Sequence, residues 1–246
     1  MIEKTRGLSP SALWQWLGLA RHNRPGRFTV LLLTIMLLLV SQPAFQGHVF
    51  AQTIVTFSIS LVLLSALFAF RSARTYFVIA LILIVPSIGS RVALEFGPNP
   101  TLEMVGAVSS CMFLAVTVVA LVSRLFSVRS VTLDTISAAI CAYLLMGVAW
   151  AYAFAAVAMR HPGAFSAALL PRNPGDTAPL FTSLHSFIYY SFVCLTTTGF
   201  GDISPISDSA RVLSVTEAIF GQLYMAILIA RLVSLEVAQS MTNGRE

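Results

Sequence analysis

The residues best suited to chemistry in this chain form one short run, Thr196-Thr197-Thr198-Gly199-Phe200-Gly201-Asp202. Two glycines alternate with larger residues, and glycine tolerates the dihedrals that a strand needs when all its carbonyls point one way. Four copies of such a strand around an axis would stack rings of carbonyl oxygens, which can replace the water shell of a dehydrated cation. The run therefore predicts a cation-binding site made of backbone, and a chance glycine-rich turn between two helices is the alternative.

The flanks of this run favour the binding site. An apolar, aromatic segment from Thr182 to Leu195 precedes it and is too short to span a bilayer, and a long hydrophobic stretch follows it. Irregular backbone inside a membrane is tolerated only where it is buried in protein or lines a water-filled path. We therefore expect a pore helix that enters the membrane and turns back to present the run.

The composition is that of a polytopic membrane protein. Of the 246 residues, 57% are hydrophobic and 10% are charged, whereas a soluble domain carries roughly 25% charge. In a membrane protein the net charge of +5 reports orientation and not nucleic-acid binding. The three cysteines lie inside apolar segments without metal-ligand spacing, so the sequence suggests neither a disulfide framework nor a bound metal.

Apolar stretches of roughly 20 residues predict six spans. They cover residues 28–45, 50–70, a third stretch from Thr75 that contains Pro86, 102–125, 131–159 and 210–235. The predicted fold class is an all-α membrane protein whose pore helix and filter loop re-enter the membrane between the fifth and sixth transmembrane helices. The predicted domains are an N-terminal segment with a candidate interfacial helix (1–27), a four-helix peripheral domain (28–130), a pore domain (131–239) and a short tail (240–246).

Basic residues predict the orientation of these spans. Most of them fall on the side of the membrane that holds both termini, and the others are Arg91, Arg160, Arg172 and Arg211. The positive-inside rule then places both termini in the cytoplasm. We expect a multi-pass protein of the plasma (inner) membrane with the filter loop opening outward.

The run and its two flanking helices resemble the selectivity filter of tetrameric potassium channels, in the variant with Phe in place of the usual Tyr. The resemblance covers roughly residues 132–237. It implies a homotetramer in the lipid bilayer, passive conduction of K⁺, and no cofactor apart from K⁺ ions in the filter. The ions would be bound by the carbonyls of Thr197, Thr198, Gly199 and Phe200 and by the Thr197 hydroxyl.

The resemblance also implies which residues support the filter. Thr196 would end the pore helix, and Asp202, which follows Gly201, would brace the filter by hydrogen bonds to aromatic residues at Tyr189 and Tyr190. Glu217 is an ionisable group inside the sixth span, which makes it a functional candidate by default. We expect it to accept hydrogen bonds from the pore-helix side, for example from Thr198 or Tyr190, and a purely structural role is the alternative.

The middle of the sixth span contains the candidate gating residues. The resemblance implies a gating hinge at Gly221, and close helix packing is the alternative because small residues let membrane helices approach. Gln222, Met225 and Ile229 recur at helical spacing. They are candidates for the cavity lining, with ordinary packing as the alternative.

Three departures from the usual filter pattern bear on selectivity. Thr198 replaces the usual Val or Ile and adds a hydroxyl that needs a partner. Phe200 lacks the usual phenol, and Val193 stands where some relatives carry a buried Glu. None of these changes alters the carbonyl ladder. We therefore predict K⁺ selectivity, with a weakly selective cation channel as the alternative.

The six-span plan is similar to that of voltage-gated potassium channels, but the fourth span holds Arg124 alone. Voltage sensing needs roughly 3–4 charges per subunit, so voltage-independent conduction is predicted. A non-conducting accessory subunit and a polytopic membrane enzyme are two rival interpretations of the chain. The spans contain no Ser-His-Asp, HExxH or paired-acid pattern, so we predict that the chain is not an enzyme and has no small-molecule substrate.

Overall fold

The computed structural model describes residues 31–36, 74–94, 97, 99–128, 132–166 and 180–243. Residues 31–36 are helical and belong to the first predicted span. The rest of that span, the second span and the candidate interfacial helix lie outside the described residues. Most of the predicted loop between the fifth span and the pore helix also lies outside them.

Two peripheral helices come first. Helix α1 covers Arg74–Leu94, contains Pro86 and corresponds to the third predicted span. Helix α2 covers Pro100–Ser127 and corresponds to the fourth. It begins sharply, because the Asn99 side chain accepts a hydrogen bond from the Thr101 amide at 3.0 Å and Pro100 occupies the first turn, where no amide donor is needed.

Three further helices form the region around the predicted filter. Helix α3 covers Leu133–Arg160, and its first turn is capped by Thr132, whose hydroxyl oxygen accepts from the Thr135 amide at 3.2 Å. Helix α4 covers Leu180–Leu195 and is the predicted pore helix. Helix α5 covers Asp208–Asn243, so it continues beyond the predicted end of the sixth span at Leu235. No Pro or Gly interrupts this extension.

Three of these helices are long and apolar enough to cross a membrane, namely α2, α3 and the part of α5 from Asp208 to Leu235. The apolar parts of α1 and α4 are shorter. Over the described residues the prediction of an all-α membrane protein is confirmed, with one isolated bridge between Phe165 and Pro205. The full set of six spans stays a prediction.

The core lies where α1, α2, α3 and α4 pack together. The inward face of α3 is rich in alanine, which lets its neighbours approach closely. Polar contacts also join the helices, since the Ser87 and Ser110 hydroxyls lie 2.6 Å apart and Arg91 of α1 donates to the Tyr152 hydroxyl of α3. Helix α5 differs: 6% of its most apolar stretch is buried, against 61% for α3. Within the part of the chain that the structure describes, most of this apolar stretch of α5 is therefore exposed.

Candidate functional site

The predicted filter begins at the end of the pore helix α4. The Thr198 amide donates to the Val193 carbonyl at 3.0 Å, and the Thr197 amide donates to the Cys194 carbonyl at 2.9 Å. These two bonds, of the 6→1 and 5→2 type, define a Schellman motif, and Thr197 occupies the left-handed position that is usually glycine. Its φ of 56° is strained for a β-branched residue. The first filter residue is thus fixed in place by the helix cap.

The left-handed conformation then recurs at every second residue. Thr197, Gly199 and Gly201 have φ values of 56°, 61° and 80°, whereas the residues between them do not have positive φ. This alternation is the backbone pattern that lets successive carbonyls lie on one side of the chain and the amides on the other. The glycines meet the conformational demand at no steric cost. The described backbone therefore has the alternation that the spacing of the two glycines predicts.

Hydroxyl groups hold the start of the filter. The Thr196 hydroxyl donates to the Phe192 carbonyl at 2.6 Å and lies 2.7 Å from the Thr198 hydroxyl. The extra hydroxyl of Thr198 therefore has a partner. The Thr197 hydroxyl donates to the Thr196 carbonyl at 2.7 Å and accepts a hydrogen bond from the Gln222 amide at 3.3 Å, which connects the filter to α5.

Tyr189 and Tyr190 of α4 have different contact partners. The Tyr189 ring stacks on Phe200, with centroids 6.3 Å apart and planes 3° apart. The Asp202 carboxylate lies near the Tyr189 hydroxyl. Tyr190 points away from the filter, because its buried hydroxyl lies 2.6 Å from the Ser214 hydroxyl of α5. Tyr189 thus contacts the predicted filter, whereas Tyr190 connects α4 to α5.

Glu217 lies behind the pore helix and is fully buried. Its Oε1 is 2.5 Å from the Ser191 hydroxyl, which also bonds to the Gly147 carbonyl at 2.6 Å. This junction joins α5, α4 and α3 at a single hydroxyl. The partner of Glu217 is therefore Ser191 and not the suggested Thr198 or Tyr190, since those hydroxyls bond to Thr196 and Ser214.

Two glycines make room for the pore helix. A Cβ on Gly221 of α5 would collide with the Leu195 carbonyl oxygen and lie 3.0 Å from Leu195 Cδ1. A Cβ on Gly147 of α3 would lie 2.8 Å from the Phe192 ring. The Tyr143 hydroxyl donates to the same Leu195 carbonyl at 3.4 Å. The end of α4 thus packs closely against Gly221 and Gly147. Close helix packing was the alternative to a gating hinge at Gly221, and the structure has that packing.

Short backbone contacts fasten the segment after the filter. The Ile206 amide donates to the Ala164 carbonyl at 2.8 Å, and the Ser166 amide donates to the Ser204 carbonyl at 2.9 Å. These bonds connect the end of α3 to the loop between the filter and α5. Both ends of the filter are therefore held by neighbouring elements of the same chain.

The candidate cavity residues Gln222, Met225 and Ile229 are exposed on α5. Their exposure fits a cavity lining and also fits a contact with another copy, so their role stays a prediction. The sequence did not predict the parts that Ser191, Gly147 and Tyr143 play. Gly147 could have been noticed from the sequence, because it is a glycine in the middle of an apolar helix. Ser191 and Tyr143 could not, because their hydrogen-bond partners are far away in sequence.

The geometry is that of a short helix, α4, followed by an irregular segment with alternating left-handed residues, between the longer helices α3 and α5. Residues 138–237 match the family model Ion_trans_2, which is described as an ion channel. A search of curated proteins found no match to the chain. Residues 138–237 are therefore an ion-channel pore domain, and the prediction that the chain is not an enzyme is confirmed.

Proposed function

We propose that the protein is a K⁺-selective channel, in which K⁺ passes down its gradient through a homotetrameric pore. The observation that carries the proposal is the alternation of left-handed residues at Thr197, Gly199 and Gly201. Ions bind to the carbonyls of residues 197–200 and to the Thr197 hydroxyl, and they move by displacing one another between adjacent sites. The Tyr189–Phe200 stack supports a filter rigid enough to select K⁺.

The bare surface of α5 supports the assembly of several copies. Its apolar stretch is 6% buried, and Phe200 in the filter is 68% exposed. One chain supplies one carbonyl strand, whereas an ion needs a closed ring of them. Four copies around the filter axis complete the ring and cover the exposed apolar face of α5.

Two further features belong to the proposal. Conduction is independent of voltage, because the charged residues within α2 are Glu103 and Arg124 alone. The channel lies in the plasma (inner) membrane with both termini in the cytoplasm, as the distribution of basic residues predicts. A weakly selective cation channel is the second candidate, and the Thr198 hydroxyl and the missing phenol at Phe200 favour it.

The test is K⁺ efflux from liposomes that contain the purified protein. Gly199→Ala forces a side chain into a left-handed position of the filter and is expected to abolish efflux. Gly163→Ala is the matched control, because Gly163 also has a positive φ of 87° and open space but lies outside the filter. Efflux that survives Gly199→Ala contradicts the proposal. An oligomer without efflux in the unmodified protein indicates an accessory subunit.

A further inference from the structure

Arg231, on the last part of α5, contacts the end of a helix that lies outside the matched pore domain. Its Nε donates to the Leu125 carbonyl at 3.2 Å, and its Nη2 donates to the Phe126 carbonyl at 2.5 Å and the Val128 carbonyl at 3.1 Å. The guanidinium also lies over the Phe126 ring, 5.0 Å from its centroid. All of these partners belong to the last turn and cap of α2.

These contacts satisfy a need of α2. The last carbonyls of a helix have no intrahelical donors, and the C-terminus carries a partial negative charge. Arg231 supplies donors and a positive charge at that place, although it belongs to a different helix. Arginine suits this role because its planar fork presents several donors in a fixed geometry, whereas lysine is a compact point charge. Arg231 therefore acts as the C-terminal cap of α2.

The position of this cap matters for the pore. Helix α5 begins at Asp208, shortly after the predicted filter, and passes Gly221 before it reaches Arg231. The cap of α2 at Val128 and the cap of α3 at Thr132 are four positions apart in sequence. The Tyr224 hydroxyl donates to the Ala139 carbonyl at 2.7 Å, so α5 also contacts the first part of α3. The ends of α2, α3 and α5 thus meet at the same side of the pore domain, opposite the filter.

We infer that Arg231 fastens the end of the pore helix pair to the peripheral helix α2, so that the position of α2 sets the opening of the pore. The inference rests on the proposed channel function. It gives the peripheral helices a task in gating although they carry no row of gating charges. Arg231 is a positioning residue here, because its donors face α2 carbonyls and not the conduction path.

The test compares Arg231→Lys and Arg231→Gln with the unmodified channel in single-channel recordings. Both substitutions are expected to change the ratio of open to closed time by roughly tenfold or more, because Gln removes the charge and Lys replaces the planar fork with a single ammonium group. Unitary conductance and the K⁺ reversal potential stay unchanged. Arg211→Gln at the opposite end of α5 is the matched control, because Arg211 is exposed, and it is expected to change the ratio by about twofold or less.

Three results would overturn the inference. An Arg231→Lys channel that gates like the unmodified one shows that the forked hydrogen bonds from Arg231 to the α2 carbonyls do not control gating. An unchanged open-to-closed ratio in Arg231→Gln shows that the contact has no part in gating. A changed unitary conductance with unchanged gating shows that Arg231 faces the ion path. If Arg231→Gln does not assemble, Arg231→Lys decides alone.

A second measurement does not depend on conduction. Hydrogen exchange of the amides at residues 124–128 is expected to become roughly tenfold faster in both Arg231 variants, because an uncapped helix end frays. Exchange that stays the same overturns the fastening itself. An unmodified protein that assembles but passes no cation refutes the proposed function instead, and the exchange result then still decides whether the fastening exists.

Discussion

Gly221→Ala is the substitution that best separates a packing role from a hinge. In the structure the added methyl group points at the Leu195 carbonyl oxygen, at the end of the pore helix. A backbone oxygen cannot rotate out of the way as a flexible side chain can. The helix α5 or the pore helix α4 must therefore move, and the filter that begins at Thr197 moves with it.

Two opposing energies decide the size of the effect. Replacing a mid-helix glycine with alanine stabilises a helix by about 1 kcal/mol. Overpacking a close contact costs about 1–3 kcal/mol, and more when backbone must shift. The overpacking cost exceeds the gain in helix stability here, because the added Cβ would collide with the Leu195 carbonyl oxygen. We expect a net loss of about 1–2 kcal/mol per subunit, which would act four times in the proposed tetramer.

The assay is thermal unfolding of the purified oligomer in detergent, together with K⁺ efflux. Gly89→Ala is the matched control, because Gly89 lies inside α1 with nothing within 4 Å of an added Cβ. Gly221→Ala is expected to unfold at a lower temperature and to lose efflux, whereas Gly89→Ala unfolds at the same or a higher temperature. A Gly221→Ala oligomer that is as stable as the control variant, and fails only to open, would refute the packing argument and support a hinge.

Three more predictions follow from the site. Glu217→Ala breaks the contact with Ser191 and is expected to lower the stability of the oligomer by about 1–3 kcal/mol in thermal unfolding, whereas Glu217→Gln retains a partner for Ser191 and loses less. Phe200→Tyr adds a phenol beside Tyr189 and is expected to slow current decay at low outer K⁺; equal decay in both proteins, at low and high K⁺, contradicts this. Open probability is expected to change little between about −100 and +100 mV, and a steep sigmoid would show that α2 or another part of the chain senses voltage.

The alternating backbone of residues 197–201 could be predicted from sequence because it depends on consecutive residues. Gly199 and Gly201 alternate with larger residues over consecutive positions of the sequence. Both glycines have positive φ values in the structure. The left-handed conformation of Thr197 was harder to predict from sequence. It is imposed by the C-terminal cap of α4, whereas threonine by itself disfavours positive φ. The short helix α4 could likewise be predicted from the length of one apolar segment, and its re-entry into the membrane stays a prediction.

Contacts between distant residues could not be predicted in this way. Nothing in the sequence near Glu217 points to Ser191, and nothing near Arg231 points to the carbonyls of α2. Tyr189 and Tyr190 are equivalent braces by sequence, whereas their positions on α4 turn one toward the filter and the other toward Ser214. Helical rotation within a packed bundle decides such pairings, and one sequence does not contain that information.

The central claim is that ions cross through a carbonyl filter at residues 197–201 that prefers K⁺. The most direct measurement is the reversal potential of purified channels in a planar bilayer with opposed K⁺ and Na⁺ gradients. The account predicts a reversal potential that follows the K⁺ gradient, current that outer Ba²⁺ blocks, and no current from Gly199→Ala. A reversal potential that follows Na⁺ as closely as K⁺ would contradict it.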